Sequence, residues 1–302
     1  TADDIVSQFQ KTADGQSFFR FMKVTITRLK QLGKTRTSET YTSTMNSFQR
    51  FLNNQTFGND NHGCNDTDIF FDEMDSDMMQ AYEAHLKREG LSPNTSSFYM
   101  RNLRAVYNRA VEKDLTTQHS PFKHVYTGVE KTAKRAVSLK TIKQIRKMDL
   151  SGNPTLDFAR DIFLFSFYTR GMAFVDIAYL QKKDLRNGIL TYRRRKTKQR
   201  LFVKWEKCMQ EITDKYYTEA SAYLLPIIRP ENGMDERKQY LNMAHNINRS
   251  LKIIGRQLGL SMPLTMYVAR HTWASIARNK RIPISVISEG MGHDSEATTR
   301  IY

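Results

Sequence analysis

Through the first third of the chain, apolar residues recur near a 3.6-residue period, and this spacing predicts a run of helices. In "DGQSFFRFMKVTITRLKQLG" the stripe is Phe18, Phe21, Met22, Ile26 and Leu29, and Gly33 stands where a helix should stop. "RTSETYTSTMNSFQRFLNN" repeats the pattern through Tyr41, Met45, Phe48 and Leu52, after a Thr/Ser-rich start suited to capping. A polar, acidic loop is expected next, "FGNDNHGCNDTDIFFDEMDSD", followed by a helix around "MMQAYEAHLKREG" closed by Gly90. The last helix of this part, "SPNTSSFYMRNLRAVYNRAVEKDL", sets Pro93 at its start and a stripe through Tyr99, Leu103, Val106, Tyr107 and Ala110. Within "VYTGVEKTAKRAV" the period lapses. Residues 1–128 therefore read as a helical domain, 129–137 as a linker, and 138–302 as a second domain.

Ser138 opens the second domain as the cap of "LKTIKQIRKM", and "TLDFARDIFLFSFYTRGMAFVDIAYL" is apolar enough for one or two core helices. At "GILTYRRRKTKQRLFVKW" the period changes from 3.6 to 2. Ile189, Thr191 and Arg193 lead into a turn near 196–199, and Leu201, Phe202 and Val203 form the return strand. No Asn-Gly turn marks the tip of that hairpin. Helices follow, "NMAHNINRSLKIIGRQLGL" being the clearest. The expected fold is mainly α, with a small β-hairpin or sheet in the second domain. There is no internal repeat.

Charge narrows the partners. The net charge is +16. Up to residue 135 the chain holds 18 Lys+Arg against 16 Asp+Glu, and the remainder holds 29 against 15. The acids of the first part concentrate between Asp60 and Asp77, and no Lys or Arg occurs from 51 to 86. So large an excess on one half points to a polyanion, nucleic acid before others, with a solvated basic surface as the alternative. Arg101, Arg104, Asn108 and Arg109 flank the apolar stripe of the last N-terminal helix, where they can follow a DNA backbone or simply face water. No apolar run is long enough for a bilayer and no signal peptide opens the chain, so the expected compartment is the cytoplasm, without a membrane partner. Cys64 and Cys208 match no metal spacing and are expected to stay reduced, with a disulfide as the lesser alternative.

His245, His271 and His293 show no metal-ligand spacing, and there is no phosphate-binding glycine loop, dinucleotide fingerprint or nucleophile elbow. No cofactor and no metal are expected. What remains is a group of cations with a tyrosine, a combination suited to phosphodiester chemistry. "YVARHTWASIARNKRIPISVISEGMGHDSEATTRIY" (267–302) resembles the C-terminal box of the tyrosine recombinase, or phage-type integrase, family: an Arg-His pair, an apolar helix, then Gly-His with a tyrosine nine residues on. Arg270–His271, Gly292–His293 and Tyr302 keep every spacing, and "GLSPNTSSFYMRNLRAVYNRAV" resembles the family's core-binding domain, in wording typical of integrases of Bacteroides-type bacteria.

The resemblance implies a two-domain architecture: a helical core-binding domain that clamps DNA and a mixed α/β catalytic domain. It implies attack by Tyr302 on a DNA phosphate to give a 3′-phosphotyrosyl link, without ATP or metal. Arg270 would bind the non-bridging oxygens and His293 would donate to the same phosphate. Lys196 would protonate the leaving 5′-oxygen, with Lys198 as its rival. Arg193, Arg194, Arg195 and Lys198 would contact DNA from the hairpin.

Two positions depart from the family pattern. Tyr267 stands where the family has a histidine. With a reference pKa of about 10 a phenol shuttles protons poorly near neutrality, so a binding or orienting role is expected, with His271 packed behind it. The family's first arginine lies three residues before an acid; Asp176 fits the acid, but the arginine position is Ala173. Arg170 lies three residues, about 4.5 Å of helix, earlier. It is the first candidate, ahead of Arg193–Arg195 or no equivalent. The expected activity is site-specific recombination on a double-stranded core site, with a dimer on each site, a tetramer in the synapse, and a bacterial, nucleoid-associated location. The alternatives are a catalytically impaired DNA-binding or architectural factor and an enzyme like a type IB topoisomerase. The chain starts on Thr1 rather than Met, which leaves open whether further segments precede it or follow Tyr302; in the family a further segment follows the tyrosine and packs on a neighbouring protomer.

Overall fold

The computed structural model describes residues 16–56, 68–131, 135–230 and 233–301; the side chains of 55 and 56 are not described. Tyr302, Cys64, most of the acidic loop and the middle of the expected linker lie outside the described residues. The chain divides into two units, Thr1–Thr132 and Ala133–Tyr302.

In the first unit, helix α1 (Phe18–Gln31) starts where the Ser17 hydroxyl accepts the Arg20 N–H, and Gly33 turns the chain out at φ +69°. Helices α2 (Thr35–Thr56), α3 (Ser76–Arg88) and α4 (Pro93–Val111) follow. Asp75 caps α3; Ser92 caps α4, whose first turn carries Pro93, a residue with no N–H to leave unpaired. Their apolar faces meet in an aromatic core. Phe18 packs edge-on to Phe71 at 5.5 Å, and Phe48 lies 5.0 Å from Tyr82, whose hydroxyl donates to Ser47 at 2.8 Å. The α4 stripe differs from expectation by one position: Met100 is fully buried while Tyr99 is only partly covered. The flexible thioether fills the interior, and the phenol stays at the rim where its hydroxyl meets water.

The second unit is built around α6 (Pro154–Tyr168), which packs against α5 (Leu139–Lys147), α8 (Lys207–Lys215), α9 (Glu236–Gln257) and α10 (Met266–Asn279). Ile162, Phe163 and Phe165 of α6 are fully buried, as its apolar sequence requires. The long apolar segment is two helices rather than one. It breaks at Arg170 (φ +62°) and Gly171 (φ +72°), where the Gly171 N–H reaches back to the Ser166 carbonyl at 2.8 Å, and then resumes as α7 (Phe174–Ala178).

The sheet has three antiparallel strands in the order β1 (Leu185–Arg186), β2 (Ile189–Arg193) and β3 (Arg200–Lys204). Leu190 and Tyr192 on β2 and Leu201 and Val203 on β3 face the core. β1 was not foreseen, yet its signal is in the sequence. Asn187 and Gly188 both have positive φ, the two-residue turn that Asn-Gly favours, and they join β1 to β2 rather than β2 to β3. Short helices α11 (Ile284–Met291) and α12 (Glu296–Thr299) complete the unit. No helix among the described residues is long and apolar enough to cross a membrane. Cys208 is a free, half-buried thiol.

Candidate active site

Three elements of the second unit converge on one cleft of about 660 Å³. The first is α10. Its N-cap residue Thr265 makes no side-chain capping bond, and Asn248 of α9 supplies it instead, accepting the Met266 N–H at 2.9 Å. The helix start is thereby held by its neighbour, and one turn later it presents Arg270. That side chain is 6% exposed and satisfied on one side by protein. Nη1 donates to the Gly171 carbonyl at 2.6 Å, and Nη2 donates to the Met291 carbonyl at 2.7 Å and to His293 at 2.9 Å. The Nε–H and the second Nη1–H make no hydrogen bond among the described residues.

The second element is the turn after α11. Gly292 takes φ +64°, and a Cβ there would lie 2.9 Å from Leu201 Cδ1 and 3.1 Å from Arg194 Cδ, so a larger residue would take a strained backbone and crowd the hairpin side chains. The turn delivers His293, buried, with Nε2 against Arg270 and Nδ1 2.8 Å from the Thr299 hydroxyl. The third element is the hairpin tip. Asp176 of α7 accepts the Arg195 N–H at 2.9 Å, while Arg194 and Thr197 both donate to the Gly292 carbonyl. These bonds turn Arg194, Lys196 and Thr197 into the cleft lining, opposite Tyr267, Arg270 and His293.

The electrostatics follow from this crowding. Desolvation raises the Asp176 pKa, while the Arg195 N–H and the guanidinium groups of Arg194 and Arg270 oppose it. Burial, then Arg270, Arg194 and Lys196, lower His293 to about 4. His271 is likewise lowered to about 4 by burial, then Arg135 and Arg270, and Tyr267 stands edge-on to it at 4.4 Å. Both imidazoles are neutral near pH 7. The unfolded chain takes up protons near pH 6.5 that the folded unit accepts only near pH 4. Stability is therefore full above the higher value and declines as pH falls toward the lower one. The expected loss is on the order of 2 kcal/mol per ring. Urea unfolding across this window checks it: His293→Asn should flatten the pH dependence by about half of the two rings' contribution.

Arg170 departs from expectation. It is absent from the cleft lining, and its Cδ and Nη1 lie within 3.6 and 3.8 Å of the Cβ position of Gly290, beside Trp273. The left-handed turn at Arg170 aims the side chain behind α11, while Ala173, at the family's arginine position, opens space in the lining. Arg194, 7% exposed, stands in the cleft with Arg270. Lys196 lines the cleft; Lys198, on a left-handed residue of the turn (φ +64°), does not. Arg193 and Arg195 border a separate groove, where the Arg195 guanidinium lies 3.8 Å from the Tyr179 ring centre. In the first unit, Arg104 and Asn108 are exposed and Arg101 and Arg109 half-buried, and Arg104 donates to Thr127 at 3.0 Å. Tyr302 lies outside the described residues; Ile301 before it lines the cleft. Sequence reasoning had no marker for Asn248 or Thr299, which act through folded contacts alone. Among the described residues no three His, Cys, Asp or Glu side chains gather as a metal site.

The chain is similar to known proteins in sequence family and in fold. Residues 17–126 match the phage integrase SAM-like domain, and residues 140–302 match the phage integrase family. The tyrosine recombinase XerD of Listeria innocua is 23% identical over 242 residues, 76% of this chain and 78% of its own. XerD of Listeria monocytogenes is 23% identical over 234 residues, 73% of this chain and 75% of its own. Lambda integrase, solved as a dimer bound to a COC' core site, matches with a TM-score of 0.69 at 13% identity, over 97% of this chain and 79% of that one. The Tn1549 transposon integrase, in complex with a circular intermediate DNA, matches at 0.67 with 15% identity, over 93% and 94%. Its second unit matched almost from end to end, the chain belongs to the phage integrase family and is a tyrosine-type site-specific recombinase.

Proposed function

We propose that the protein cleaves and rejoins double-stranded DNA at a specific core site through a 3′-phosphotyrosyl intermediate on Tyr302. The observation that carries this reading is the convergence of Arg194, Lys196, Arg270 and His293 on one cleft whose lining includes Ile301, the residue before Tyr302. The Tyr302 oxygen attacks the phosphorus as its proton leaves to solvent, and the bond from phosphorus to the 5′-oxygen breaks. Lys196 gives the proton that the 5′-oxygen needs. Arg270 offers its two uncommitted N–H groups to the non-bridging oxygens, and Arg194 adds the second guanidinium. Tyr267, half-exposed at the rim, orients the phosphate. His293 accepts from Arg270 before DNA arrives; a phosphate beside the ring raises its pKa, so that it can take a proton and donate. The same phosphodiester energy is kept in the tyrosyl ester and returned on religation.

In this reading residues 1–128 grip DNA through Arg101, Arg104, Asn108 and Arg109, residues 138–302 carry the chemistry, and Arg193, Arg195 and Lys198 hold backbone beside the cleft. Lambda integrase has been solved as a dimer on a core site and as a tetramer on a Holliday junction, which supports the same assembly here, on the DNA of a bacterial cytoplasm.

The test is a nicked suicide duplex, its site selected by binding from a randomised pool. In EDTA the wild type should leave a covalent protein–DNA adduct on a denaturing gel, and Tyr302→Phe should leave none. Tight binding without an adduct would replace this reading with a DNA-binding factor. Relaxation of supercoils without site preference would replace it with a topoisomerase.

A further inference from the structure

His293 sits between two partners that together dictate where its proton lies. A guanidinium has only donors, so Nε2, 2.9 Å from Arg270 Nη2, must be the unprotonated nitrogen. The proton is then on Nδ1, and the Thr299 hydroxyl 2.8 Å away accepts it. Thr299 is 1% exposed, whereas Thr298 beside it is exposed and lines the cleft, so the two adjacent threonines face opposite ways.

Thr299 also ends α12, a helix of four residues whose N-cap Ser295 makes no side-chain capping bond. A helix this short does not hold itself. Its exposed polar contacts are the Ser295–Thr298 hydroxyl pair at 3.3 Å and the Arg300–Glu296 pair at 3.7 Å, and it packs against α11; the buried hydrogen bond to His293 adds an anchor from the site itself. Three residues further on is Tyr302.

We propose that Thr299 is a positioning residue that locks His293 as its Nδ1–H tautomer and so ties the segment carrying Tyr302 to the Arg270–His293 pair. The assignment rests on the recombinase reading for its catalytic consequence, but the tautomer itself does not. Without the hydroxyl, the buried Nδ1–H loses this acceptor. The proton then moves to Nε2, where it points at a donor of Arg270, and the guanidinium loses its set orientation. The helix that precedes Tyr302 loses its bond to the site in the same step.

Thr299→Val keeps the shape and removes the acceptor; Thr299→Ser keeps the acceptor. On the suicide duplex, Thr299→Val should form adduct on the order of ten- to a hundredfold more slowly than wild type, with DNA affinity unchanged. Thr299→Ser should restore most of the rate. In ¹⁵N spectra of the histidine rings, the wild-type His293 should show a protonated Nδ1 and a bare Nε2, and the valine variant should lose that pattern. A valine variant as fast as wild type, or a serine variant as slow as valine, would overturn the assignment. So would a wild-type ring protonated at Nε2, whatever the variants do. If the wild type forms no adduct at all, the recombinase reading fails by itself; the ring spectra of wild type and valine variant then decide for or against the tautomer lock.

Discussion

Replacing Arg194 by alanine should slow formation of the covalent adduct by a factor on the order of 10² to 10³, while Arg170→Ala should change it by less than about tenfold. The contrast follows from where the two guanidinium groups lie. Arg194 is buried in the cleft lining with Arg270 and His293, and its charge is among those that lower His293. Phosphoryl transfer builds negative charge on the non-bridging oxygens, and a fixed cation in a poorly hydrated cleft meets it without reorganising. Arg170 reaches past Gly290 toward Trp273 instead. Because Arg194 also donates to the Gly292 carbonyl, the alanine variant loosens the hairpin that carries Lys196. Arg194→Lys should recover the charge but not the forked geometry, and remain at least tenfold slow. Single-turnover adduct formation at saturating protein, with DNA affinity measured separately, checks all three. Should Arg170→Ala prove the more damaging of the two alanine variants, the assignment of the second phosphate-binding arginine reverts to Arg170.

How much of this was legible in the sequence depends on how local each contact is. Ser92 with Pro93, Gly90 and Gly33 mark helix ends by backbone chemistry within one turn, and the structure places the ends there. The mainly helical fold with a small sheet was readable for the same reason. Arg270 and His293 could be named because the resemblance to the family's C-terminal box fixes their positions within one short stretch, 267–302. Arg194 was only one of three hairpin candidates, because its place is set by contacts 19 and 98 residues away in sequence, from the Arg195 N–H to Asp176 and from Arg194 to Gly292. Spacing along a helix favoured Arg170, but the helix ends at that residue in a left-handed turn, so helical spacing does not set where its side chain lies. β1 was missed for a smaller reason: Asn187–Gly188 was sought at the wrong end of β2.

Gly171 is the point where backbone and chemistry touch most closely, and Gly171→Ala should be the most damaging single-methyl change in the second unit. Its φ of +72° alone costs an alanine about 1–2 kcal/mol. The added Cβ would also stand 2.7 Å from the Arg270 Cα and 3.0 Å from its Cγ. A main-chain atom inside a packed helix cannot rotate away, so α10 must shift, at a further cost of about 1–3 kcal/mol. The shift draws Arg270 Nη1 from the Gly171 carbonyl it holds at 2.6 Å and moves the guanidinium off the place proposed for its contact with phosphate. A displacement near 1 Å is enough to slow the reaction on the order of 10²-fold even in molecules that remain folded. Gly188→Ala is the internal control: φ is nearly the same, +71°, but nothing lies within 4 Å of the new Cβ. It should cost only the backbone penalty and leave adduct formation intact. Urea unfolding and the adduct assay on both variants separate strain from collision. Equal losses in the two would mean that α10 yields without moving Arg270, and that the close approach at Gly171 has no part in placing that guanidinium.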